Sequence, residues 1–262
     1  MTESAASRDF YNTIARYYDA ENEAVTEDLD LYVELAESTV GPILDVGCGT
    51  GRVMLHLAMA GHRVSGIDLS TAMLERGRRK LNNRVDLAEQ VTFYEGNALD
   101  YAFAEKFALT VIPYNGLMHF RSVEDIRTLL RHLADCAEDH GELVIDLPNA
   151  GESFATLDDD AVTLERSFIE PESGNLVMQQ SVSRLDRTGQ MQYITWIYDE
   201  IGTDGILRRT VAPLTLRYIF PTELDLLLQI SGWQTIERYG DYDRSPFEEG
   251  CPRLIVLAQK AG

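Results

Sequence analysis

Positive charge is scarce in this chain: 23 Lys and Arg stand against 43 Asp and Glu, a formal net charge of −20. Neutralising a nucleic-acid backbone takes clustered cations, so DNA and RNA are excluded as expected partners. The short basic run Arg76, Arg78, Arg79 and Lys80 reads as the solvated face of a helix. Cysteine is equally sparse. Cys48, Cys136 and Cys251 are isolated, odd in number and without metal-ligand spacing, which argues against a disulfide framework and against zinc. No apolar run is long enough to cross a bilayer, and Met1 to Asp19 lacks an apolar stretch behind a basic start. A cytoplasmic protein without a membrane partner is expected.

What is present points to an α/β fold. Apolar residues make up 45% of 262, enough to build one sizeable domain, or a domain with one large insertion. Phe10, Ile14, Tyr17 and Tyr18 are spaced for one face of an opening helix, and a second helix is expected over Thr26 to Ser38. Strand and helix then alternate: Ile43–Val46, a helix Arg52–Ala60 stopped at Gly61, strand Arg63–Ile67, and a helix capped by Ser70 with Met73, Leu74 and Leu81 inward. Strands Val91–Glu95 and Ala108–Ile112 follow. Ser122 and Asp125 then resemble a capping box before the stripe Ile126, Leu129, Leu130, Leu133; Gly141 is expected to end that helix, ahead of strand Glu142–Asp146. Repeated β-then-α order implies a mainly parallel sheet covered on both faces. After Pro148 the pattern changes to four strands, near Ala161–Glu170, Leu176–Arg187, Met191–Glu200 and Ile206–Phe220, joined by short turns that suit antiparallel pairing. Thr222 is expected to cap a helix carrying Leu224, Leu227 and Leu228 inward. Strands Trp233–Tyr239 and Arg253–Ala258 close the chain as an antiparallel edge.

The chemistry concentrates at the turn after the first strand, Asp45-Val46-Gly47-Cys48-Gly49-Thr50-Gly51. Its G-x-G-x-G spacing differs from the dinucleotide fingerprint, which wants Gly or Ala where Arg52 stands. Asp68 ends the second strand, where an ionised carboxylate can accept two hydroxyl hydrogen bonds, as a ribose requires. Helix capping is the alternative for Asp68, although Ser70 can cap unaided. Pro113-Tyr114-Asn115-Gly116-Leu117-Met118-His119-Phe120 follows the fourth strand, at the carboxyl edge where α/β ligands bind. His119 is the one histidine placed there; His56, His62, His132 and His140 fall on helices or helix ends. With an ordinary pKa of ~6.5, His119 can take a proton from an amine or hydroxyl near neutrality; a satisfied core histidine is the alternative.

Leu44 to Gly51, Val64 to Leu74 and Glu95-Gly96-Asn97-Ala98-Leu99-Asp100 resemble successive motifs of class I S-adenosylmethionine-dependent methyltransferases, and the segment after Pro113 resembles glycine N-methyltransferase and amino-sugar N,N-dimethyltransferases. The resemblance spans about Tyr11 to Pro148 and resumes at Arg217 to Leu257. It implies a doubly wound, mainly parallel seven-stranded Rossmann-like methyltransferase sheet built from residues 1–150 and 217–262. Residues 151–216 form the antiparallel β insertion, expected to cover the active site and set specificity. By the same resemblance, Asp45, Gly47, Cys48 and Gly49 surround the methionine part of S-adenosylmethionine. Asp68, with Leu69 beside it, holds the ribose. Met73 packs on adenine, and Asn97 with Ala98 grips its polar edge; Leu99, Pro113 and Tyr114 are further cofactor-binding residues. Family members often carry Asp where Asn97 stands, and a turn-forming role is the alternative for Asn97. An N-terminal helix in such enzymes lids the cofactor and brings a tyrosine near the methyl, a role for Tyr11 or Tyr18, unless these rings only pack. Asn115, His119, Arg217 and Tyr242 are expected to border the acceptor.

The implied reaction is in-line methyl transfer to nitrogen or oxygen of a small molecule, driven largely by proximity and orientation. Its rivals are a non-catalytic S-adenosylmethionine-binding scaffold or regulator and an NAD-dependent dehydrogenase. The antiparallel insertion is also able to pair two copies into a homodimer.

Overall fold

The computed structural model describes residues 3–22, 24–151 and 159–262, so residues 152–158 of the expected insertion, with Met1 and Thr2, lie outside the described residues. Helix α1 (Glu3–Asn22) and α2 (Leu29–Glu37) lead into β1 (Ile43–Val46), α3 (Arg52–Met59), β2 (Val64–Asp68), α4 (Thr71–Asn82), β3 (Val91–Glu95), β4 (Phe107–Ile112), α5 (Val123–Cys136) and β5 (Ala137–Pro148). Four long strands follow: β6 (Asp159–Ile169), β7 (Leu176–Asp186), β8 (Met191–Ile201) and β9 (Leu207–Arg217). The chain ends through α6 (Pro221–Ile230), β10 (Trp233–Tyr239) and β11 (Arg253–Lys260).

Seven strands form one sheet in the order β10-β11-β5-β4-β1-β2-β3, and β6 to β9 form a separate antiparallel sheet. β1 and β4 are buried throughout, the continuous apolar run expected of strands covered on both faces. One face packs Ile126, Leu129 and Leu133 of α5 and Leu224 and Leu228 of α6. The other packs Leu31, Tyr32 and Leu35 of α2 against Met54 and Leu57 of α3. Strand order reverses between β1 and β4, and the crevice at their carboxyl ends is where such sheets bind ligands.

Caps and turns largely follow the local sequence. Ser70 Oγ accepts from Met73 N (3.2 Å) and Ser122 Oγ from Asp125 N (3.0 Å), as expected of two N-caps. Two expectations are corrected, and the expected antiparallel terminal pair is given its order. Helix α5 ends at Cys136, not Gly141, because Ala137 already pairs with Phe107 of β4; Gly141 lies inside β5, where a Cβ would come within 3.0 Å of both Glu138 O and Phe107 O. Helix α6 begins one residue before Thr222, with Pro221 in its first turn and Phe220 as the capping residue. The antiparallel strand is β11, inserted between β5 and β10, so the outermost strand β10 runs parallel to the rest.

The antiparallel sheet does not roof the crevice directly. Helix α1 lies between them: Phe10, Ile14 and Tyr17 pack on Val177, Ile194, Tyr198, Ala212 and Leu214, with the Tyr17 and Tyr198 rings stacked at 4.6 Å. Each such side chain contributes about 1.5–3 kcal/mol on burial. No helix among the described residues is long and apolar enough to cross a membrane.

Candidate functional site

A cavity of about 970 Å³, counting its open mouth, sits at the carboxyl ends of β1, β2 and β4 beneath α1. Its floor is the turn after β1. Gly47, Gly49 and Gly51 all have left-handed φ (77°, 56° and 83°), and Gly47 N and Cys48 N both donate to Ile67 O. Gly49 needs its glycine twice over: the φ is unfavourable for other residues, and a Cβ there would stand 3.2 Å from Met73 Cε.

Two carboxylates dominate this end. Asp68 accepts from Gly49 N (2.9 Å) and Ser70 N (2.7 Å), one bond to each oxygen. It thus keeps acceptor capacity toward the cavity, and burial holds its pKa above the ordinary value against those donors. Asp45 is 1% exposed; neither of its oxygens is well hydrogen-bonded, and the Met54 backbone nearby eases its charge. Burial raises its pKa to about 7; Arg52 opposes the rise and Asp68 adds to it. Arg52 is committed elsewhere, forking onto the fully buried Asp28 with two bonds of 2.6 Å.

The opposite end holds an uncharged pair. Tyr11 Oη and His119 Nε2 are 2.9 Å apart, and His119 Nδ1 is buried without a partner. Burial drives the His119 pKa down to about 4 and the Tyr11 pKa well above 10, so both are uncharged at neutral pH. That corrects the expectation of a histidine titrating near neutrality. Tyr18 meets Tyr11 edge-on at 6.2 Å, and Tyr17 points away into the packing described above. Helix α1 is tied down by polar contacts. Asp19 accepts from Lys80 and Thr50 (2.6 Å each) and pairs with Arg76 (3.4 Å); Asn12 Oδ1 accepts from Ser70 Oγ (2.8 Å). Arg76 and Lys80 therefore anchor α1, where a merely solvated face was expected.

Most of the expected site residues converge here. Tyr11, Tyr18, Asp45, Gly47, Cys48, Gly49, Asp68, Leu69, Met73, Asn97, Ala98, Pro113, Tyr114 and His119 all line the cavity. Asn97 also accepts from Leu99 N (3.1 Å), so the turn-forming reading and the cavity placement both hold. Four expected residues do not line it. Leu99 packs on the core, Asn115 Oδ1 accepts from Arg253, Arg217 pairs with Glu223 at 2.7 Å, and the Tyr242 hydroxyl donates to Asp146. Among the described residues none of β6 to β9 lines the cavity either, because α1 supplies that wall. Sequence reasoning missed Ser7, Arg8, Arg52 and Phe120, which do line it. Helical spacing carried a signal for Arg8, since positions 8, 11 and 18 share one face.

Residues 43–141 match a family described as a methyltransferase domain. The cypemycin N-terminal methyltransferase of a Streptomyces species is 26% identical over 83% of this chain and 82% of its own length. A Geobacillus sp. protein carrying a methyltransferase name is 29% identical over 52% of this chain, which spans 57% of that relative's length. In structure, the CcbJ methyltransferase from Streptomyces caelestis superposes with a TM-score of 0.84 at 22% identity, over the whole of both chains. The fold is therefore the α/β methyltransferase fold.

Proposed function

We propose that this methyltransferase-domain chain transfers a methyl group from S-adenosylmethionine to the amine nitrogen of a small acceptor. The observation that carries the reading is the unlike pair of cavity ends, with an unpartnered buried carboxylate at one and a neutral Tyr11–His119 pair at the other. The cofactor fits the first. The orphaned Asp45 suits an ammonium group, Asp68 retains acceptor sites for ribose hydroxyls, and Gly49 leaves backbone room that a Cβ would fill. Met73, Asn97 and Ala98 would hold the base. Two carboxylates facing this turn oppose a pyrophosphate, which weighs against NAD.

When bound, the cofactor supplies an electrophilic methyl group on a sulfonium. The residues here position and desolvate. A histidine held near pKa 4 has little pull on a proton at pH 7, and Tyr11 keeps its own. The acceptor must therefore arrive with a free lone pair, which an amine has and an un-ionised hydroxyl offers poorly. Burial favours the neutral amine, and Tyr11 and His119 orient it by hydrogen bonding. The N-terminal methylation named for the Streptomyces relative points to the same acceptor chemistry. Pairing of two copies belongs to this proposal too, through the free face of the antiparallel sheet, where Val211 and Tyr193 are exposed; sedimentation checks it.

Calorimetric titration with S-adenosylhomocysteine, alongside NAD, tests the cofactor. Micromolar binding of the first and none of the second is expected, and turnover of small amines in preference to phenols should follow. Binding of NAD alone would overturn the proposal. Binding of S-adenosylhomocysteine with no turnover across amines and phenols would favour a scaffold.

A further inference from the structure

We infer that Asp146 and Arg253 are a positioning pair that holds the loop after β4 in the shape walling the cofactor end of the cavity. The inference rests on the cofactor reading above, and neither residue lines the cavity itself. Asp146, at the carboxyl end of β5, is fully buried. Its Oδ1 accepts from Arg253 Nε and Nη2 (2.9 and 2.5 Å), and its Oδ2 from the Tyr32 and Tyr242 hydroxyls (3.0 and 3.1 Å) and from Tyr114 N (3.1 Å). A buried carboxylate this fully satisfied is rigid, and losing one donor leaves an uncompensated group.

The loop it grips needs holding. Tyr114 and Asn115 are consecutive non-glycine residues with left-handed φ of 43° and 68°, a conformation that persists only where surroundings impose it. Asp146 supplies the surroundings twice, since its backbone oxygen also accepts from Asn115 N at 2.9 Å. Arg253 supplies more. Its Nη2 donates to Asn115 Oδ1 (2.9 Å), and its guanidinium lies 5.8 Å from the Tyr114 ring, which Arg52 faces at 5.5 Å. Tyr114 and Pro113 line the cavity, and the short 3-10 turn Gly116–His119 continues directly into the Tyr11–His119 pair. The fork from β11 therefore sets where both cavity ends stand.

The test uses the full chain, S-adenosylhomocysteine titration and hydrogen exchange at the Tyr114 and Asn115 amides. Arg253→Met should weaken binding about tenfold and speed exchange at those amides by a similar factor; Arg253→Lys, which keeps the charge but loses the fork, should weaken binding about threefold. Trp233→Phe is the stability control. Trp233 Nε1 donates to Leu130 O deep in the α5–β10 packing, away from the loop, so a comparable fall in thermal midpoint should leave binding within about twofold. The inference is overturned if Arg253→Met binds within about twofold of the native chain, or if Trp233→Phe loses as much affinity at the same thermal midpoint. A native chain that binds no S-adenosylhomocysteine overturns the cofactor reading and the pair's role in it. Accelerated exchange in Arg253→Met would then still show that the pair holds the loop.

Discussion

The two ends of the cavity solve opposite electrostatic problems. At one end burial leaves Asp45 with no side-chain partner and a pKa near 7, a charge deficit that a cationic ligand would relieve. At the other, burial pushes His119 and Tyr11 into their neutral forms; one hydrogen bond joins them, and His119 Nδ1 is left buried without a partner. The same physical cause, desolvation, thus primes one end to bind charge and keeps the Tyr11–His119 pair of the other uncharged. The difference lies in the partners: Asp45 has been left without a side-chain donor, whereas Tyr11 has been brought to His119 by a helix 108 residues away in sequence.

The comparison can be broken most decisively at Asp68. Asp68→Ala should weaken S-adenosylhomocysteine on the order of 100-fold, because it removes the acceptor proposed for two ribose hydroxyls and the anchor of Gly49 N. Calorimetry with S-adenosylhomocysteine measures it, and a loss below about threefold would overturn the ribose role proposed for this residue. At the Tyr11–His119 end, His119→Asn should lower kcat by about 10- to 100-fold while leaving cofactor affinity within about twofold. Because His119 titrates near 4, it should impose no inflection on the native kcat/KM profile between pH 5 and 8. A histidine-dependent inflection near 6.5 would make it a base after all.

Asp45 gives the pH-linked prediction. Its folded-state pKa lies above the unfolded value, so between about pH 4 and pH 7 the native chain binds the extra proton. On its account the ligand-free fold loses stability as pH rises through that window and levels off above 7. A ligand ammonium favours the ionised form, so affinity should rise over the upper part of the window and level near pH 7. Asp45→Asn should flatten both slopes, raise the ligand-free thermal midpoint at pH 7.5 and weaken binding about tenfold there. The smallest effect is expected at Asn97. Asn97→Asp preserves the acceptor for Leu99 N, and affinity should stay within about threefold.

Much of this was legible in the residues. The buried runs of β1 and β4, the stripe of α5 and the Ser70 and Ser122 caps are local features, and the structure reproduces them. The glycine turn and Asp68 were legible for the same reason: strand, turn, helix and acid follow one another within 26 residues, from Ile43 to Asp68. Most of the errors are non-local. Gly141 looked like a helix stop because nothing near it shows that Ala137 pairs with Phe107. Arg217 and Tyr242 looked like cavity residues by their place in the chain, yet Glu223 and Asp146 claim them.

The sequence by itself determined the periodicities, the strand-turn-helix units and the residue types able to hold a ribose or an ammonium group. Each depends on neighbours within a few turns of backbone, where geometry is set by local sterics and hydrogen bonding. Only the tertiary structure decided that β11 slips between β5 and β10, that α1 separates the antiparallel sheet from the cavity, and that Arg253 reaches Asp146 and Asn115. It also decided which titratable groups are charged. A pKa is set by burial and by partners distant in the chain, and His119 and Asp45 acquire theirs only in the folded interior.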